Sequence, residues 1–135
     1  RYPRVKQYMH DIVAEAVEKG YVTTLFNRRR YLPELKSKNH NIRSFGERVA
    51  LNAPIQGTAA DIIKIAMVKV YKELKSRNMR SRLILQVHDE LIVETHVDEK
   101  EEVERIIKEC MENAAKLKVP LVVEVKTGKS WYETK

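Results

Sequence analysis

The most informative segment of the sequence is Gln86-Val87-His88-Asp89-Glu90-Leu91. Apolar, β-rich residues flank its polar centre on both sides, at positions 83–87 and 91–93. Two such runs separated by a short polar break predict a β-hairpin. Because acidic side chains are depleted in strands, the two adjacent acids, Asp89 and Glu90, are expected to lie together at its tip.

The two acids have two interpretations. A carboxylate on a rigid hairpin can bind a hard cation such as Mg²⁺ through oxygen. Alternatively, Asp89 caps a backbone N–H group in the turn while Glu90 is solvated. Local composition by itself favours the second interpretation, and a lone histidine such as His88 is more often a surface or core residue than a ligand.

Regularly spaced apolar residues predict the other elements, and the whole pattern predicts an α+β domain with an antiparallel sheet and helices on one face. In the first half of the chain, the predicted elements are a helix from Pro3 to Gly20, a hairpin of residues 21–25 and 30–32, and a polar loop at 36–41. A helix at 42–51 follows, which Pro54 stops or bends, and then a helix at about 56–76. The last predicted elements are a helix with apolar positions from 103 to 117 and a strand at 121–125. Further expectations are a buried face of Ala59, Ile63, Ala66, Val70 and Leu74, a capping box of Asp98 with Glu101, and a buried, unreactive Cys110.

The chain has 135 residues, enough for one domain with a core, and its 26 Lys and Arg exceed its 19 Asp and Glu to give a net charge of +7. The excess lies in residues 1–48, with 11 basic and 5 acidic side chains, and in residues 62–82, with 7 and 1. Such a distribution suits a polyanion such as nucleic acid, although basic faces are often only solvated surface. A single cysteine and no apolar run of membrane-spanning length predict a cytoplasmic protein.

Several function classes find no support in the sequence. The four His residues are scattered, and the single Cys has no partner at zinc-ligand spacing. No Ser-His-Asp signature appears, and Gly57-Thr58 lacks the ending of a phosphate-binding loop.

A second informative stretch covers residues 48–61, in which Arg48, Asn52 and Gln56 recur every four residues. In a continuous helix they would share one face, but Pro54 is expected to bend the chain there. Either way they gather near a predicted helix start, where free N–H groups favour anions. The alternative is a packing face of small residues, with Asn52 and Gln56 as caps.

Together these blocks resemble the C-terminal part of family A DNA polymerases of the bacterial DNA polymerase I type. The residues that carry the resemblance are 52–61, followed by 86–91. Support comes from residues 20–25, 28–33 and 119–121, and the likeness extends over essentially the whole chain. It implies the palm fold of that family, an antiparallel sheet with a catalytic hairpin and helices behind it. Residues 1–41 would be the base of the fingers and their connection to the palm, and residues 42–135 the C-terminal part of the palm.

The resemblance also implies roles for individual side chains. Asp89 matches one of two carboxylates that hold catalytic Mg²⁺, and Glu90 matches a neighbouring acid of the catalytic site. His88 resembles a residue near the primer 3′ end. Contacts with primer and template are implied for Arg43, Arg48, Asn52 and Gln56. Contacts with the DNA backbone are implied for residues 28–30.

Two parts of the family pattern are not found in this sequence: the motif with the other metal-binding Asp, and the fingers helix that binds the incoming nucleotide. In the family both precede the segment that residues 2–6 resemble. We therefore expect a longer, monomeric polymerase that acts in replication and repair, with two Mg²⁺ ions as cofactor and primer–template DNA and deoxynucleoside triphosphates as partners. These 135 residues alone are expected to be inactive.

Two other classes stay open. The composition also allows a stand-alone basic DNA-binding module without catalysis, and the third candidate is a phage or RNA-copying relative in the same superfamily. A motif of the Asp-Tyr-Ser type upstream in the gene would favour the polymerase.

Overall fold

The computed structural model describes residues 2–134, and within them the chain forms three α-helices, two antiparallel β-hairpins and short 3-10 helices. This confirms the predicted α+β class. Two compact units divide between Asp61 and Ile62. The elements are α1 (Pro3–Lys19), β1 (Tyr21–Thr23), β2 (Arg29–Tyr31), α2 (His40–Ser76), β3 (Arg82–Val87), β4 (Glu90–Glu94) and α3 (Lys100–Glu112).

Helix α1 has the ends that its sequence predicts. Pro3 occupies the first turn, where its missing N–H group costs nothing. Gly20 follows the last turn with φ +80°, a left-handed conformation that glycine adopts readily, and its N–H group donates to the Ala16 carbonyl at 2.8 Å. The helix therefore turns sharply into β1, and Ala16 lies in the core of the first unit.

The first hairpin is shorter than predicted. Strand β1 ends at Thr23 because the Thr24 hydroxyl accepts hydrogen bonds from the N–H groups of Phe26, at 3.2 Å, and Arg28, at 3.3 Å. Together with the Thr24 N–H group, which donates to the Arg28 carbonyl at 3.0 Å, these local bonds form the turn between the strands. The core beneath the hairpin consists of Ala16, Val22, Leu32, Leu35 and Ala50.

Helix α2 corrects the prediction of two helices separated at Pro54. It runs without interruption for 37 residues, with Pro54 inside it. Proline removes only one hydrogen bond of the helix, and here its own carbonyl accepts from the Thr58 hydroxyl at 2.5 Å, with both side chains buried. The helix also begins earlier than expected, because the Asn39 side chain accepts from the Asn41 N–H group at 2.9 Å and caps the first turn. No helix in residues 2–134, α2 included, is apolar enough over a sufficient length to cross a membrane.

In the second unit, the C-terminal half of α2 packs with α3 against one face of the β3–β4 hairpin. The core residues are Val70, Leu74, Val103 and Ile106, with Leu83, Leu91 and Val93 contributed by the strands. Of the predicted buried face of α2, all members except Ala59 are buried. The strands pair Leu83 with Val93 and Leu85 with Ile92, so a bulge at Ile84 bends β3. Cys110 is partly buried beside this core, and burial raises the pKa of its thiol, as expected for an unreactive cysteine.

Two local predictions in the second unit are wrong. Asp98 and Glu101 form no capping box, because a 3-10 helix at Val97–Glu99 precedes α3 and the N-cap residue is Glu99, without a side-chain cap. Residues 121–125 form no strand; in the described part of the chain β3 and β4 pair only with each other, and the Val123 N–H group donates instead to the Glu112 carboxylate at 3.2 Å. A strand needs a partner for its backbone groups, which the apolar pattern alone does not provide.

Glu99 joins the start of α3 to the two residues that precede β3, and its contacts predict a pH dependence. Its carboxylate accepts from the N–H groups of Arg80, at 3.0 Å, and Ser81, at 2.9 Å, and from the Ser81 hydroxyl, at 2.6 Å. The Arg80 N–H bond, followed by the Ser81 hydroxyl, lowers the pKa of Glu99 from 4.5 to about 2. Since the folded-state pKa is the lower one, this stabilisation is complete above pH 4.5 and is lost as pH falls from 4.5 towards 2.

We expect Glu99→Gln to remove this dependence. Amide hydrogen exchange of Arg80 and Ser81 in a full-length polymerase carrying this segment measures it, with each pH normalised to an unstructured peptide. Wild-type protection should fall between pH 6 and pH 3, whereas Glu99→Gln should show low protection at both. Glu101→Gln is the matched control, because the Glu101 side chain is exposed and its carboxylate makes no hydrogen bond or ion pair within residues 2–134. Equal protection in wild type and Glu99→Gln at pH 6 would contradict the prediction.

Candidate functional site

The tip of the β3–β4 hairpin is a two-residue turn. Val87 pairs with Glu90, which leaves His88 and Asp89 as the central residues. His88 has φ +52°, a left-handed conformation that is uncommon for residues other than glycine, although histidine is among those that adopt it more readily. The Gln86 side-chain amide donates to the His88 carbonyl at 2.7 Å and braces the turn. The predicted hairpin with an acidic tip is confirmed.

The acids at this tip are open to solvent. His88, Asp89 and Glu90 are all exposed, and within residues 2–134 the two carboxylates make no hydrogen bond or ion pair. Asp89 therefore does not cap a backbone N–H group, which was the alternative that local composition favoured. Its oxygens are free to bind a ligand.

The described residues contain no cluster of metal-ligating side chains, so the tip carboxylates are only candidate ligands. No three His, Cys, Asp or Glu side chains between positions 2 and 134 converge on one point. An exposed carboxylate without a protein partner suits a hard cation, which prefers oxygen ligands. Asp89 can thus serve as one ligand, with Glu90 adding negative charge beside it.

The first unit contains a cavity of about 490 Å³ between the β1–β2 hairpin and α2, which we call the arginine groove. Because α2 is continuous, Arg48, Asn52 and Gln56 lie on one face of it, and all three are exposed and line this groove. The hairpin contributes the opposite wall, and none of the described lining residues is acidic. The polar lining residues that give the groove its character are Arg28, Arg29, Arg30, Arg48, Asn52 and Gln56.

The four arginines of the groove differ in their partners. Arg28 forms an ion pair with Asp61, with 2.7 Å between Nε and Oδ1. Arg29 lies over the Tyr21 ring, 4.6 Å from its centroid, and Arg48 donates to the Ser44 hydroxyl at 3.2 Å. In the described part of the chain Arg29, Arg30 and Arg48 have no acidic partner, so three positive charges remain uncompensated. Phosphate groups are natural partners for such charges.

The structure revises the interpretation of this region in two ways. Asn52 and Gln56 lie in the middle of α2, so the expected helix start with free N–H groups is absent there, and neither residue is a cap. Gln56 is exposed, which also argues against a pure packing role. Arg43 does not line the groove; it is partly buried and donates to the Ser37 carbonyl at 3.2 Å. Its predicted DNA contact stays a prediction.

The contribution of the β1–β2 hairpin was missed by sequence reasoning. From the sequence, the three consecutive arginines at positions 28–30 indicated contacts with the DNA backbone, but no role for any one of them. No local pattern could pair Arg28 with Asp61, which lies 33 residues further along the chain.

The family model for DNA polymerase family A matches residues 1–133. The chain belongs to DNA polymerase family A. DNA polymerase I of Caldicellulosiruptor bescii is 58% identical over 135 residues, which are 100% of this chain and 16% of the relative. DNA polymerase I of Bacillus subtilis is 57% identical over 131 residues, which are 97% of this chain and 15% of the relative. The family A chain therefore spans about one sixth of the length of these curated relatives.

A solved structure shows the same fold. The POL domain of Pol1 from M. smegmatis, in complex with DNA primer-template and dNTP, has a TM-score of 0.96 and 50% identity to this chain. The match covers 99% of this chain and 24% of that one. The predicted polymerase-type fold of this family A chain is thereby confirmed.

Proposed function

We propose that these residues form part of a DNA-directed DNA polymerase, which transfers nucleotides to a primer 3′ end under the direction of a template. The observation that carries this proposal is the pair of exposed, unpartnered acids, Asp89 and Glu90, at a hairpin tip in a chain of family A. Curated relatives are named DNA polymerase I, and the structural neighbour was solved with DNA primer-template and dNTP. Both support the proposal.

Asp89 is the metal ligand in this proposal. Its exposed carboxylate has the oxygen donors that Mg²⁺ prefers, and Glu90 increases the negative charge around it. Two bound Mg²⁺ ions supply activation of the primer 3′-hydroxyl and charge stabilisation of the leaving pyrophosphate. His88, beside Asp89 in the turn, contacts the primer terminus. The chain's own part is to hold these groups on a braced hairpin, since phosphoryl transfer depends mainly on positioning and electrostatics.

The arginine groove binds the primer–template duplex in this proposal. The uncompensated guanidinium groups of Arg29, Arg30 and Arg48 attract the phosphate backbone and set the register of the duplex. The amides of Asn52 and Gln56 donate to acceptors on base edges in the minor groove, which every base pair presents. Such contacts hold correctly paired DNA irrespective of its sequence, as a template-directed enzyme requires.

We further propose the domain roles and setting that the resemblance implies. Residues 1–41 form the base of the fingers and their connection to the palm, and residues 42–135 belong to the palm. The complete enzyme is a monomer in the cytoplasm and serves DNA replication and repair. Family membership supports these assignments.

Gln56→Ala tests the duplex-binding role. Losing one neutral hydrogen bond to DNA costs about 0.5–1.5 kcal/mol, so we expect primer–template affinity to fall about 2- to 13-fold. Fluorescence anisotropy with a labelled primer–template measures this in a full-length polymerase that carries this segment. Gln7→Ala is the matched control, because Gln7 is an exposed helix glutamine outside the groove. Equal affinities of the wild type and Gln56→Ala would remove Gln56 from the DNA interface.

A further inference from the structure

The turn of the β1–β2 hairpin lies directly against α2 at Gly57. A Cβ atom at Gly57 would lie 2.7 Å from the Thr24 methyl group and 3.4 Å from Nη2 of Arg28. The first distance is too short for any side chain, so glycine is required for this close approach. The hairpin turn and the helix backbone are therefore in contact at the residue that follows Gln56.

A chain of hydrogen bonds fixes this contact. The Leu25 N–H group donates to the Thr58 hydroxyl at 3.1 Å, and that hydroxyl donates to the Pro54 carbonyl at 2.5 Å. Thr24 and Thr58 are each only 8% exposed, so these polar groups depend on one another. This series of hydrogen bonds crosses the turn of α2 that contains Pro54, where the helix lacks one of its own hydrogen bonds.

Arg28 completes the contact with two bonds from one guanidinium group. Its Nε donates to Asp61 Oδ1 at 2.7 Å, and its Nη2 donates to the Gly57 carbonyl at 3.1 Å. The Asp61 side chain is 12% exposed, so this ion pair is shielded from water on one side. With its charge compensated, Arg28 differs from Arg29 and Arg30, which have no acidic partner in the described part of the chain.

We propose that Arg28 is a positioning residue for DNA binding rather than a phosphate contact. Together with Asp61 it clamps the hairpin turn to α2 and fixes the backbone at Gly57, so that the neighbouring Gln56 amide is held in its DNA-binding orientation before DNA arrives. Pre-organisation of this kind strengthens binding because less conformational freedom is lost on association. The proposal rests on the proposed role of Gln56. A lysine cannot replace Arg28, because it lacks the planar fork that makes both bonds.

A double-mutant cycle tests the proposal in a full-length polymerase that carries this segment. The variants are Arg28→Ala, Gln56→Ala and their combination, and the measured quantity is primer–template affinity at several salt concentrations. We expect Arg28→Ala to weaken binding about 2- to 10-fold in the presence of Gln56, and to have little further effect once Gln56 is alanine. Asp61→Asn should reproduce the effect of Arg28→Ala, and Arg28→Lys should not restore affinity.

The salt dependence distinguishes positioning from a phosphate contact. Loss of a phosphate contact reduces the slope of log K against log salt by about 0.9, whereas loss of a positioning residue leaves the slope unchanged. Arg30→Ala is the comparison variant for which we expect the reduced slope. The melting temperature of each variant, together with the intermediate substitution Arg28→Lys, separates lost positioning from unfolding.

Each outcome decides one question. If Gln56→Ala weakens binding but Arg28→Ala acts additively with it, or lowers the salt slope, the positioning role is overturned while the proposed DNA interface stands. If Gln56→Ala has no effect, the proposed interface itself fails, and the clamp has no group to position. Non-additivity with an unchanged slope, shared by Asp61→Asn, supports the proposal.

Discussion

Asp89→Asn in a full-length polymerase that carries this segment is expected to lower kcat by about 10³-fold or more, with primer–template affinity nearly unchanged. Asparagine has almost the same shape as aspartate, but it carries no charge and binds hard cations more weakly. Asp89 is exposed and its carboxylate makes no hydrogen bond or ion pair within residues 2–134, so its replacement leaves the hairpin intact. The expected loss therefore reports on the reaction rather than on folding.

Single-turnover nucleotide incorporation with Mg²⁺ measures this effect separately from product release. Asp98→Asn is the control, because Asp98 lies in the same unit and its carboxylate makes only exposed contacts, with Arg80 and His96. We expect Asp98→Asn to retain the wild-type rate, and Glu90→Gln to lose activity less severely than Asp89→Asn. A rate for Asp89→Asn within a few-fold of wild type would exclude Asp89 from the catalytic site.

The parts of the fold that sequence predicted well are those fixed by local interactions. The β3–β4 hairpin follows from two β-rich runs around a short polar break, and α1 follows from Pro3 at its start and Gly20 at its end. Both elements contain their own signals, namely strand propensity, proline at a first turn and glycine with positive φ. Distant residues were not needed to specify them.

The errors arose where tertiary contacts override a local rule. Proline normally ends a helix, yet Pro54 lies inside α2, where Thr58 bonds to its carbonyl and both are buried. An apolar run at residues 121–125 looks like a strand, yet it pairs with no strand among the described residues. In each case the deciding partner is absent from the local pattern.

In the candidate site, too, some features follow from the local sequence and others depend on contacts between distant residues. Asp89 stood out because an acid in an apolar hairpin is unusual, but local composition favoured a capping role and only the family resemblance implied a metal ligand. The spacing of Arg48, Asn52 and Gln56 pointed to one face if the helix continued. The arginine groove was not foreseeable, because it requires the β1–β2 hairpin to lie against α2 at Gly57. The roles of these side chains in binding and catalysis stay predictions that the experiments above address.

A polypeptide of these 135 residues alone is expected to bind DNA and to make none. Synthesis by two-metal catalysis needs carboxylates that together hold both ions, and no group of three potential ligands occurs within residues 2–134. Binding of DNA needs only the electrostatic attraction between its phosphates and the positively charged side chains of the protein. With about three phosphates neutralised by Arg29, Arg30 and Arg48, the slope of log K against log salt is about −2.7, so affinity falls about 40-fold between 50 and 200 mM salt.

Two assays on highly purified polypeptide check this expectation: primer extension with Mg²⁺ and all four nucleotides, and DNA binding across the same salt range. Circular dichroism confirms in advance that the polypeptide is helical, and Asp89→Ala exposes any activity of a contaminating host polymerase. Template-dependent extension that Asp89→Ala abolishes would show that the segment carries a complete catalytic site. Binding that is indifferent to salt would contradict the electrostatic role of the arginine groove. Salt-sensitive binding without extension is the expected result, because attraction of a duplex depends on charge alone, whereas phosphoryl transfer depends on charges held at defined positions around the reacting phosphate.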